Sequence, residues 1–371
     1  MSNVIDADTH IIEHPGVWEE FDSNLYHRRP KLASMAADSG STLSSAVWMI
    51  DGTAVPKRSG KGSVALAVGG SDADNARTDI AGPVRYLTDP RARVRAMDAR
   101  GVAAEVVFPT LLLAYLAVDS ELEVAICRAY NRFLAKAWRE AGDRLRWVVV
   151  PPLSDIDESL REIGSARDNG AVGVFFRGVE GDRSLADPYF YPIYELASRL
   201  DMAICVHTGA GSPGITNVFD RTISHNLPHV RSLPLFAFRD IVAHKIPERF
   251  PDLRVGFIEA SASWVPYVLH HLSRSTKSRT AGASPDDNLS WGPSLFRDYR
   301  LYVAAETDED LPYLLRHIGE ENIVMGSDYG HQDQSKEDGM VALMRRREDL
   351  PTGVVEKILC DNPQRLYGLE Y

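Results

Sequence analysis

Asn3-Val-Ile-Asp-Ala-Asp-Thr-His10, with Glu13 three residues on, sets a short apolar, β-branched run directly against a cluster of ionisable groups. In a parallel α/β barrel the catalytic groups sit at the carboxyl ends of the strands, so this stretch reads as a first strand with chemistry at its end. Runs of the same kind recur at 103–109, 146–152, 171–177, 202–208, 254–260, 301–304 and 322–327. Between them lie stretches with apolar residues at three- and four-residue spacing, such as 121–140, 155–169, 189–200, 234–247 and 308–318, which predicts helices. Eight strands alternating with helices is the count of a closed (β/α)8 TIM barrel of the α/β class.

A single such domain is expected to occupy residues 1–371. One stretch breaks the repeat: residues 14–95 contain Gly/Ser/Ala-rich pieces and no convincing long helix. It reads as an insertion after the first strand that covers the barrel mouth, since function-bearing insertions gather on the loops that follow strands.

Composition narrows the function classes. Apolar residues at 44% and charged residues at 25% are ordinary globular usage, and 41 basic against 52 acidic residues give −11, which argues against a nucleic-acid partner. Cys127, Cys205 and Cys360 show no CxxC spacing, so neither a disulfide framework nor a thiolate zinc site is indicated. The start, MSNVIDADTH, lacks the apolar core of a signal peptide, and no run reaches membrane-spanning length. The expectation is a cytoplasmic protein with no membrane partner, assembled as a homo-oligomer, a dimer.

The predicted strand ends carry Asp8 and His10, then His207, Glu259 and Asp328, and Glu13 follows close behind. Side chains alternate along a strand, so Asp8 and His10 share a face. A lone Asp at a strand end commonly caps a helix, and a lone His is commonly hydrogen-bonded in the core. Four strand ends with ligand-type side chains together point to a metal. Asp8, Glu13, Glu259 and Asp328 with His10 and His207 make four carboxylates and two imidazoles. Four carboxylates around one divalent ion would leave excess negative charge in a dry cavity, so this inventory calls for two ions, and its hard ligands suit iron or manganese. His225 on the segment after strand five could complete a second ion or move protons; with His229 and His331 the alternative is a plain loop residue. Arg177 closes strand four, where it either grips an anion or forms a rim salt bridge. The basic clusters at 27–31, 274–279 and 345–347 read as solvated surface.

The DxDxHxxE pattern at 6–13, His207, RFPDLRVGFIEASASWVP at 249–266, MGSDYGH at 325–331 and ILCDNPQRLYGL at 358–369 resemble the amidohydrolase-related metal-dependent barrels. That group includes the decarboxylases of aminocarboxymuconate semialdehyde and resorcylate. The resemblance implies a metal at Asp8, His10, His207 and Asp328. Where those decarboxylases carry a histidine after strand six, this chain has Glu259. The acid-rich pattern is similar to that of the non-haem di-iron monooxygenases of diterpenoid biosynthesis. This resemblance implies two Fe, an electron donor and a hydrophobic, coenzyme A-linked acyl substrate. The candidate catalytic residues are Glu259, His225 and Asp328, with Glu259 or Asp328 as the general base if the chemistry is non-oxidative. The alternative is a mononuclear Zn or Mn decarboxylase or hydrolase; a third reading, a barrel that only binds, would be expected to lose ligands rather than gain one.

Overall fold

The computed structural model describes residues 3–34, 46–69, 79–220, 229–278, 291–332 and 335–370. Eight strands form one parallel sheet in chain order: β1 Ile5–His10, β2 Ala104–Phe108, β3 Leu145–Val149, β4 Ala171–Phe176, β5 Ala203–His207, β6 Val255–Ile258, β7 Leu301–Ala305 and β8 Ile323–Met325. Nearly every strand residue is buried, because barrel side chains fill one face and helices cover the other. That double burial is why the strands read as unbroken Val/Ile/Ala runs. The ring is completed by the residues that follow β8. His10 N–H donates to Tyr329 O at 2.8 Å and Asp328 N–H to Asp8 O at 3.0 Å. Gly326 permits the approach, since a Cβ there would lie 2.2 Å from the Asp8 Cβ.

The outer helices include α1 Pro90–Arg100, α2 Ser120–Ala141, α3 Ile156–Arg167, α4 Tyr191–Arg199, α5 Ser232–Ala243, α6 Val265–Ser278 and α7 Leu311–Ile318. Four of them start on an aspartate whose carboxylate accepts an otherwise unpaired first-turn amide: Asp89, Asp119, Asp155 and Asp310. The chain ends in a helical run broken by a π turn at Lys357–Asp361.

Several boundaries differ from the sequence expectation. β3 stops at Val149 rather than 152, where Pro151 and Pro152 have no amide to donate. β6 and β8 stop before Glu259 and Asp328, whose left-handed φ values of 53° and 51° end the extended backbone. Within 14–95, the helix α1 already begins at Pro90, and an unanticipated antiparallel sheet is formed by Lys31–Ser34, Ala46–Ile50 and Thr53–Val55. Its last hairpin turns at Asp51-Gly52, both at positive φ, the backbone that matches the twist of two antiparallel strands.

Between β1, β2 and α1 lies a buried ionic network. Arg93 Nε reaches Glu105 Oε1 at 2.5 Å, Arg100 Nη2 reaches Glu105 Oε2 at 2.7 Å, and Arg100 Nη1 reaches Asp6 Oδ2 at 2.9 Å. Arg93 and Glu105 are both wholly inaccessible to solvent. Removing one partner would strand a charge in a medium that cannot solvate it. Glu105→Ala is therefore expected to destabilise the fold by about 3–5 kcal/mol, read as a lower urea midpoint with an unchanged slope.

Candidate metal centre

β1 aims its side chains through an irregularity. Asp6 pairs with Glu105 and Thr9 with Val107, so β1 spends one residue more than β2 across this interval. The extra residue reverses the alternation. Asp6 faces α1 and bonds Arg100 and Ser327, whereas Asp8 and His10 face the barrel axis. The first acid of the DxDxH pattern is thus a structural group, and burial lifts it to about 6.

Five of the residues singled out in the sequence converge. His10 Nε2 lies 3.4 Å from Asp8 Oδ1, 3.3 Å from Asp328 Oδ1 and 3.8 Å from Glu259 Oε2. His207 Nε2 lies 3.5 Å from Asp8 Oδ1 and 3.1 Å from Glu259 Oε2. Donors held about 2.0–2.2 Å from a common ion stand roughly 3.0–3.5 Å from one another, and most of these separations fit. The tautomers agree. His10 Nδ1 is 2.9 Å from Pro109 O and His207 Nδ1 is 2.8 Å from Thr208 O. A carbonyl only accepts, so both Nδ1 atoms carry hydrogen and both Nε2 atoms turn a lone pair inward. Asp8 Oδ1, His10 Nε2 and His207 Nε2 are buried without a hydrogen bond, an arrangement a cation would satisfy.

The electrostatics favour ligand protonation states at His10 and Asp8. Burial and the neighbouring His331 push His10 down to about 3, so it is neutral. Burial alone would raise Asp8, but His207 and His10 hold its carboxyl well below the usual range. For His207 the burial effect is outweighed by Asp8 and Glu259, which raise it.

His331, open between two roles in the sequence, is buried and stacks on His10 with ring centroids 3.8 Å apart. Its Nε2 is 2.8 Å from Thr110 Oγ1 and its Nδ1 is 2.8 Å from Asp328 Oδ1. The single Thr110 hydroxyl hydrogen is directed to Ile11 O at 2.7 Å, so Nε2 must be the donor to Thr110. A bare Nδ1 lone pair facing a carboxylate at 2.8 Å would be repulsive. Asp328 and His331 therefore stand in ion-pair contact, with Nε2 as the donor that fixes the ring.

Glu13 does not join the cluster. Its Oε1 and Oε2 accept the amides of Thr110 and Leu111 at 2.9 and 2.7 Å, so it holds the segment that bears Thr110 rather than an ion. Burial lifts it to about 7 against those two donors. This correction removes the charge argument for two ions. With Glu13 excluded and Asp328 facing the His331 ring, one divalent ion would neutralise Asp8 and Glu259. His10 Nε2 belongs to both groupings of ligand-type atoms in the cluster, Asp8/His10/His207/Glu259 and His10/Glu259/Asp328/His331, and one imidazole lone pair binds one ion.

His225 lies outside the described residues, and His229 opens a short turn at His229–Arg231. Arg177 commits its guanidinium within the rim: Nε and Nη2 hold Glu180 Oε2 at 3.0 and 2.6 Å, and Nη1 donates to Ala114 O at 2.9 Å. Two contributions were not anticipated. Ser335 Oγ donates to Glu259 Oε1 at 2.8 Å and is itself held by Arg231, whose other arm meets Glu306 at 2.8 Å. Glu309 accepts the amides of Ala262, Ser263 and Glu306, fixing the turn after Glu259. Charged residues late in a β-barrel loop give no sequence signal for such a role unless the facing loop is known.

Among the described residues no helix is long and apolar enough to cross a membrane. The family described as Amidohydrolase matches residues 5–369. A 2-amino-3-carboxymuconate-6-semialdehyde decarboxylase of Dictyostelium discoideum is 22% identical over 251 residues, 65% of this chain and 66% of that protein. Among solved structures, an amidohydrolase of Mycobacterium avium subsp. paratuberculosis superposes with TM-score 0.73 at 20% identity, over 100% of this chain and 98% of that one. A 5-carboxyvanillate decarboxylase of Novosphingobium aromaticivorans, solved with manganese and 4-hydroxy-3-methoxy-5-nitrobenzoic acid, gives 0.66 at 16% identity over 99% and 96%. By the extent of the family match, which runs from β1 to the end of the terminal helical run, this chain belongs to the amidohydrolase family.

Proposed function

We propose that the protein is a metal-dependent carboxy-lyase that removes CO2 from a small unsaturated or aromatic acid at one divalent ion. The observation that carries this reading is the 2.8 Å contact between Asp328 and His331 beside the ligand-type cluster, an acid–base pair suited to delivering a proton. Asp8, His10, His207 and Glu259 would hold the ion, which would supply a Lewis acid to orient and polarise the substrate's oxygens. The decarboxylase relative and the decarboxylase fold neighbours support the same class.

Loss of CO2 leaves the bonding electron pair on carbon, and that carbon must take a proton. The Asp328–His331 pair is placed to give it, and solvent then returns one to the pair. Thr110 and Glu13 fix the His331 ring, so the proton leaves from Nδ1 or from the Asp328 oxygen facing it. Arg231, through Ser335, orients Glu259 so that Oε2 remains turned to His207. Oxygen activation by two irons, the leading expectation from the sequence, loses its charge argument with Glu13, and this reading needs no electron donor.

Three outcomes test the proposal. Protein purified without added metal is expected to contain close to one divalent ion per chain, and His207→Ala to contain less than a tenth of that by elemental analysis. Two irons per chain together with oxygen consumption would restore the monooxygenase reading. His331→Gln is expected to keep the ion yet lose about 10²–10⁴ in kcat for CO2 release from a panel of hydroxybenzoates and dienoic acids. Unchanged kcat in that variant would place the proton donor elsewhere. Glu259→His is expected to retain the ion, because a single imidazole replaces a single carboxylate oxygen.

A further inference from the structure

The insertion and two barrel loops enclose a second feature beside the metal centre. A cavity of about 150 Å³ is lined by Val55, Pro56, Val64, Leu116, Val118 and Pro213, together with Lys57, whose Nζ donates to Lys61 O. Its walls continue the segments that build the centre. Leu116 and Val118 lie downstream of Thr110, and Pro213 downstream of His207. The walls are tied together: Ala210 N–H donates to Leu113 O at 2.8 Å, Tyr115 N–H to Ala210 O at 3.2 Å, and Gly62 N–H to Phe219 O at 2.8 Å. The Arg177 bond to Ala114 O braces the same wall, and a Cβ at Gly62 would meet the Asn217 side chain at 2.0 Å.

Three of the six exposed large hydrophobic side chains among the described residues, Tyr115, Val218 and Phe219, belong to these wall segments. Lys57, Arg58 and Lys61 stand on the turn beside them, with Asp220 across the Lys61 bridge. An apolar cavity of about 150 Å³ accommodates a benzene-sized group.

We infer that this cavity is a substrate subsite for a benzene-sized apolar group whose outer end carries an anion that meets Lys57. The inference names the substrate class of the proposed decarboxylase and rests on that reading only for the fate of the substrate's inner end. Burying a group of this size is expected to strengthen binding at least tenfold, the lower end of what a fully buried large apolar side chain contributes.

Calorimetric titration of the full chain, as purified and after chelation, tests it with 4-phenylbutyrate, acetate and 4-phenylbutylamine. In both forms 4-phenylbutyrate is expected to bind at least tenfold more tightly than acetate. Ala117→Phe and Ala54→Phe, on opposite walls, are each expected to weaken 4-phenylbutyrate at least tenfold and leave acetate unchanged. Lys57→Gln is expected to abolish the preference over 4-phenylbutylamine in the chelated form, where no ion contributes to anion binding. Equal binding of 4-phenylbutyrate and acetate would overturn the subsite, as would tight binding that neither Phe variant disturbs, and both would leave the metal-centre reading untouched. Absence of CO2 release from every acid, with the binding pattern intact, would sink the decarboxylase and keep the subsite.

Discussion

The hydrogen bonds that join β1 to the segment after β8 are the constraint on which the rest depends. Through His10 N–H to Tyr329 O and Asp328 N–H to Asp8 O, the first and last strands of the ring become neighbours. One closure therefore sets Asp8 and His10 from one end of the sequence against Asp328 and His331 from the other. Asp6 reinforces it from outside, accepting the amide and hydroxyl of Ser327 at 2.8 and 2.5 Å. Barrel closure removes a sheet edge in any protein of this architecture. Here it also assembles the ligand set.

Charge organises the centre as firmly as geometry does. Every imidazole has its outer nitrogen committed, to Pro109 O, Thr208 O or Thr110 Oγ1, so protonation inside is determined by contacts outside. The same logic moves Glu13 out of the ligand list. Its oxygens are filled by backbone amides, and its influence on the centre passes through Thr110 to His331.

The strands were legible because double burial writes them as apolar runs, and strand-end polarity marked Asp8, His10, His207, Glu259 and Asp328. What stayed hidden has physical causes. The one-residue excess in β1 is a property of pairing with β2, so no inspection of β1 alone shows that Asp6 turns outward while Asp8 turns inward. The role of His331 follows from a hydroxyl more than two hundred residues away in sequence. Arg177 invited an anion, but its partner Glu180 was only three residues on, within reach of a turn. The hairpin turning at Asp51-Gly52 was readable and passed over, because its flanking strands are short and one follows a Gly/Ser-rich stretch.

Glu259 and Asp328 both adopt left-handed backbone, as does Ser261. Such conformations cost side chains bearing a Cβ on the order of 1–3 kcal/mol unless surrounding structure imposes them. The bonds to Glu309 and the seam at β1 impose them here. The barrel is accordingly held away from its most stable form at two of the strand ends that carry the ligand-type carboxylates. Two demands on the same polypeptide, to relax and to present an oxygen at a fixed point, are opposed at these residues, and the presented oxygen prevails.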